Sequence, residues 1–71
     1  MTPQQFEVYE YVNEFHSKYK LSPTYQEIYE ECNLSSKNHA HVIVTRLCEL
    51  GYLAKNKKYE ERGIIPVKKD E

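Results

Sequence analysis

The chain has 71 residues and a mass of 8.5 kDa, enough for one small domain and too little for a multidomain enzyme. Hydrophobic residues make up 39% and charged residues 30%, which is ordinary globular composition, and the longest apolar runs are three residues, so nothing here spans a membrane. The formal net charge of −1 hides an asymmetry: residues 1–33 hold two Lys and six Glu, whereas residues 34–71 hold eight Lys or Arg against five acids. Within 37–58 the cations are Lys37, Arg46, Lys55, Lys57 and Lys58, with Glu49 the one acid. Such a split can set a basic face against an acidic back, and the local face governs affinity for a polyanion. The plainer reading is a solvated surface with chance clustering.

The first helix begins at Thr2. Threonine is a good N-cap, Pro3 suits a first position that needs no backbone N–H, and Gln5 completes a capping box. Val8, Tyr11 or Val12, Phe15 and Tyr19 recur at helical spacing and should share a buried face. The helix should stop near Tyr19 or Lys20. Leu21-Ser22-Pro23 then runs extended, because the residue before proline avoids helical angles.

Thr24-Tyr25-Gln26-Glu27 is a second capping box and opens a short helix. Ile28 and Cys32 share its inner face, with Tyr25 or Tyr29 beside them. The helix ends near Cys32, where Asn33 tolerates left-handed angles. A third helix follows Ser35-Ser36, with Ser36 as its N-cap. Ala40, Ile43, Leu47 and Leu50 form one buried stripe, with Val44 and Cys48 at its margin. Gly51 ends it.

Tyr52-Leu53-Ala54 and Ile64-Ile65-Pro66-Val67 are short apolar segments around a polar stretch, the pattern of a hairpin. Pro66 cannot donate to a ladder and marks a strand edge or end. Residues 68–71 are a charged tail. The expected fold is therefore mostly α with a small β-hairpin: a three-helix winged helix-turn-helix domain over residues 1–67.

On this fold the outward row of the third helix is Asn38, His41, Val42 and Thr45, with Glu49 as a further candidate at its end, flanked by His39 and Arg46. Asparagine matches the adenine edge, histidine can donate to guanine, and the Val42 or Thr45 methyls can pack on a thymine methyl. The plainer reading is an exposed polar helix with a cap at Ser36. Lys55, Lys57 and Lys58 stand at the wing, with Arg62 on the return strand and Lys37 at the start of the third helix. They suit phosphate contacts, though lysine on an edge strand also blocks sheet-to-sheet pairing. The free N–H groups near Thr24 and Tyr25 can hold a phosphate, or can simply be an ordinary cap. Seven tyrosines fit core and boundary positions, with Tyr25 and Tyr59 as candidates for backbone contact.

Thr2, Gln5, Glu7-Val8, Ser17, Pro23-Thr24, Glu27-Ile28, Ser36, Asn38, Ala40, Leu47, Gly51 and Arg62-Gly63-Ile64, taken in register, resemble the N-terminal DNA-binding domain of the LexA repressors of the bacterial SOS response. The resemblance covers about residues 1–67, with one extra residue in the hairpin turn. It implies that the third helix enters the major groove and that Ser36, Asn38, His39, His41 and Val42 read bases. Only Ser36 and Asn38 keep the family's usual residue types. His41 and Val42 replace acidic residues and His39 a small one, so the family's operator sequence is not carried over. The self-cleaving serine–lysine segment of LexA proteins lies outside the matched residues, and its activity is not carried over either.

The expected function is sequence-specific double-stranded DNA binding by a repressor module. It would be bacterial or phage-encoded, cytoplasmic, monomeric alone and paired on DNA, since one domain reads about one half-site. A different class stays open: a small winged-helix module that binds a host protein partner, favoured by the acidic first half and the many tyrosines. No enzyme chemistry, cofactor or metal is expected. Cys32, Cys48, His39 and His41 lack zinc-ligand spacing, and there is no phosphate-binding glycine loop or nucleophile elbow.

Overall fold

A computed structural model describes residues 2–55 and 63–67. It contains helices α1 (Pro3–Tyr19), α2 (Tyr25–Glu31) and α3 (Lys37–Glu49), then strands β1 (Leu53–Lys55) and β2 (Ile64–Pro66). The strands pair antiparallel with Leu53 opposite Pro66, Ala54 opposite Ile65 and Lys55 opposite Ile64. Three helices followed by this hairpin make the winged helix-turn-helix architecture read from the sequence. Residues 56–62, which include Lys57, Lys58, Tyr59 and Arg62, and residues 68–71 lie outside the described residues.

Local chemistry sets each boundary. Thr2 and Gln5 exchange two bonds of 3.1 Å, and Thr24 and Glu27 exchange bonds of 2.8 and 3.1 Å, so both capping boxes form. The α1 terminus falls at Lys20, which takes a left-handed φ of 61° while its N–H bonds to the His16 carbonyl at 2.9 Å. At the end of α2, Asn33 is left-handed (φ 55°), and the Leu34 N–H returns to the Tyr29 carbonyl at 2.9 Å. Gly51 repeats that device after α3 with φ 86°, and the Tyr52 N–H reaches the Leu47 carbonyl at 2.9 Å. Both are Schellman-type endings, in which a residue with positive φ lets orphan carbonyls find donors.

The core gathers Val8 and Val12 of α1, Ile28 of α2, Leu34, then Ala40, Ile43, Val44 and Leu47 of α3, closed by Leu53 and Ile64 of the wing. Buried Ser22 donates its hydroxyl to the Ile64 carbonyl and so ties the α1–α2 link to β2. Tyr9 and Tyr52 meet edge to face at 5.4 Å and fasten α1 to the segment before β1.

Three packing expectations need correction. Leu50 is 37% exposed rather than buried, because it caps α3 at the edge of the apolar stripe just where Gly51 turns the chain away. Val44, expected at the margin, is fully buried in its stead. Tyr19 is 52% exposed rather than buried, because it is the last residue of α1 and lies at the open rim of the contact with α2. Leu34 is the converse: it follows the Asn33 turn, and that turn folds it inward.

Candidate nucleic-acid interface

The third helix presents two different sides. Its inner side is apolar and packed, and that packing fixes which residues are left outside. Asn38, His41 and Val42 are exposed, Val42 to 56%, while Thr45 and His39 are half-buried at the border. Ser36 and Lys37 are exposed at the start of the helix. The sequence-predicted reading row is thus brought together on one accessible strip. A shallow hollow of about 410 Å³ runs beside it, walled by His41, Val42, Thr45 and Arg46 and closed by Gln5 of α1.

Each polar group on the strip has a definite local setting. The Ser36 hydroxyl accepts the His39 N–H at 3.2 Å, so it caps the helix while its own O–H stays available to donate. Among the described residues nothing binds the Asn38 side-chain amide, which leaves both its donor and its acceptor for an outside partner. His39 Nδ1 lies 3.2 Å from the Ser35 hydroxyl, which leaves Nε2 as the ring nitrogen without a partner among the described residues. His41 lies against the Tyr25 ring, with centroids 5.0 Å apart and planes inclined by 49°. Thr45 Oγ1 accepts from Lys55 Nζ at 3.2 Å, so the end of β1 is tied to the C-terminal half of α3.

The flanking cations differ in how firmly they are held. Arg46 reaches Glu49 at 3.4 Å, but both side chains are more than half exposed, and a surface pair of this kind contributes little. Its guanidinium can therefore swing to a phosphate at small cost. Lys37 and Lys55 are exposed. At the start of α2, the Thr24 backbone N–H already donates to Glu27 and its hydroxyl already accepts, so the ordinary cap accounts for both groups. Tyr25 also meets this surface through its ring, which lies against His41.

The sequence reading missed three anchoring contacts: Tyr25 with His41, Ser35 with His39, and Lys55 with Thr45. The Ser35–His39 contact had a signal, since four-residue spacing places the two on one side of the helix start. The other two join separate elements and become visible only when α2, α3 and the wing are assembled.

The two cysteines are free and half-buried, and burial pushes both thiols up. That makes them poor nucleophiles and poor ligands. Among the described residues no group of three or more His, Cys, Asp or Glu side chains is placed to hold a metal ion. No described helix is long and apolar enough to cross a membrane. No protein-family model matches the chain, and no curated protein matches it significantly.

Proposed function

We propose that this chain is a sequence-specific double-stranded DNA-binding module of the LexA-like winged helix-turn-helix kind, acting as a transcriptional repressor. One observation carries the reading. The outward strip of α3 exposes Asn38, His41 and Val42, the Asn38 amide has no partner among the described residues, and the exposed cations Lys37, Arg46 and Lys55 stand around it. A helix about 10–12 Å across with its side chains matches the width of the B-DNA major groove.

In this mechanism α3 lies in the major groove with its N-terminal half toward the bases. The Asn38 amide pairs with an adenine edge. Ser36 and Nε2 of His39 contact neighbouring base edges or phosphates, and His41, steadied by Tyr25, faces an acceptor such as guanine. Val42 and the Thr45 methyl pack against thymine methyls. Lys37, Arg46 and Lys55 neutralise phosphates and set the register, joined by Lys57, Lys58 and Arg62 of the wing. Lys55 then links two jobs, because the ammonium that meets the backbone also touches Thr45. One domain covers one half-site, so two copies bind sites spaced about a helical turn apart.

Selection from a pool of randomised duplexes tests the reading. The expected result is a recurrent short sequence whose affinity falls linearly with the logarithm of salt concentration. A pool that stays random after repeated rounds contradicts specific recognition.

A further inference from the structure

The groove between α1 and α2 shares no residue with the hollow beside α3, and it has a chemistry of its own. Its floor is a ladder of rings on α1: Tyr11 and Phe15 have centroids 5.9 Å apart, and Phe15 and Tyr19 are 4.7 Å apart. Glu14 of α1 and Glu27, Glu30 and Glu31 of α2 stand along its sides. The space between holds about 510 Å³, room for several side chains of an incoming segment. An adjoining hollow shares Tyr11, Glu14 and Glu31 and adds Glu7 and Glu10. All six carboxylates of the first 33 residues therefore border one continuous surface.

Among the described residues no ion pair meets Glu7, Glu10, Glu14, Glu30 or Glu31; the ion pair found there joins Arg46 to Glu49. The field of these carboxylates reaches the floor. Burial first, and then the charges of Glu27 and Glu31, push the Tyr11 phenol up to about 12. The rings are also used for a cation already, since Lys18 Nζ stands 5.3 Å from the centroid of Tyr19.

Carboxylates alone attract any cation, whereas a ring ladder between them discriminates. A guanidinium can stack flat on an aromatic face while it donates two parallel bonds to a carboxylate, and an ammonium cannot do both. We propose that this groove docks an arginine-rich segment of a second protein, with guanidinium groups stacked on Phe15 and Tyr19 and paired with Glu14, Glu30 and Glu31. A second copy of this chain does not supply that segment. It has two arginines, Arg46 and Arg62, too far apart in sequence to form an arginine-rich segment.

Titrating the isotope-labelled full chain with hexa-arginine and with hexa-lysine, in the absence of DNA, tests the proposal by amide shifts and fluorescence anisotropy. The expected shifts concentrate on the C-terminal half of α1 and on α2. Hexa-arginine should bind about threefold or more tighter than hexa-lysine, the range of an exposed cation–π contact. Tyr19→Ala, at a side chain the fold does not bury, should erase that preference. Glu14→Gln with Glu31→Gln should weaken both peptides. Equal affinities for the two peptides, or shifts spread evenly over Glu49 and the other acids, would overturn the proposal. So would a dimer in sedimentation that Glu31→Gln dissolves, because the occupant would then be a second copy. With no duplex present, failure here leaves the DNA reading standing, and failure of duplex selection leaves this one standing.

Discussion

The outward strip of α3 and the groove between α1 and α2 rest on the same core, yet they offer different things to a partner. The strip carries neutral donors and acceptors at separate points, several held by a neighbour: His39 by Ser35, His41 by Tyr25, Thr45 by Lys55. The groove is lined by six carboxylates around rings, with Lys18 the one cation in its lining. The strip suits a surface whose hydrogen-bond pattern varies from site to site, and the groove suits a cationic one. A net charge of −1 averages the two and describes neither.

Substitutions in the shared core and on each surface test this contrast. The largest effect falls on what the two surfaces share. Leu47 is fully buried, and Leu47→Ala should cost about 2–5 kcal/mol, comparable to the whole stability of a domain this small, so urea melts should show both surfaces lost together. Asn38→Ala should separate them. It should cost about 1–3 kcal/mol on the selected duplex and little on random DNA or at the groove, as read by competition binding. Lys37→Gln with Lys55→Gln should weaken every duplex and lower the salt slope by about 2, whereas Glu14→Gln with Glu31→Gln should leave that slope unchanged or strengthen binding slightly. Thr24→Ala removes the hydroxyl of the α2 cap and should cost about 1 kcal/mol in thermal melts without changing which duplex is preferred.

The smallest effect is a pH dependence confined to the groove. Tyr11 has a folded pKa of about 12 against an ordinary value of about 10, so the unfolded chain loses this proton first as pH rises. Any contribution is unchanged below pH 10 and declines between about pH 10 and 12. Tyr11→Phe should flatten that part of the alkaline melt. An ultraviolet titration in which all tyrosines ionise together would contradict it.

Much of the fold was legible because its boundaries are written in local chemistry. Thr2-Pro3 with Gln5, Thr24 with Glu27, Ser36 and Gly51 each satisfy or end a helix through neighbours a few residues away. The burial of Leu34 and the exposure of Leu50 and Tyr19 were not legible, because they depend on where the turns at Asn33 and Gly51 and the end of α1 leave those side chains in the assembled fold. The same division holds at the candidate interface. Helical spacing alone placed Asn38, His41, Val42 and Thr45 on one side, but the Tyr25 stack and the Lys55–Thr45 bond need α2 and the wing in position. The acidic groove was visible in sequence only as a charge imbalance, since neither Tyr11-Phe15-Tyr19 nor Glu27-Glu30-Glu31 forms a channel until α1 and α2 pack.

Amide-shift mapping of the full chain with a selected duplex is the most direct test of which surface meets DNA. The largest changes should fall between Ser36 and Arg46 and at Lys55, with residues 7–19 and 27–31 nearly unmoved. Changes centred on α1 and α2, with Asn38 and His41 silent, would contradict it.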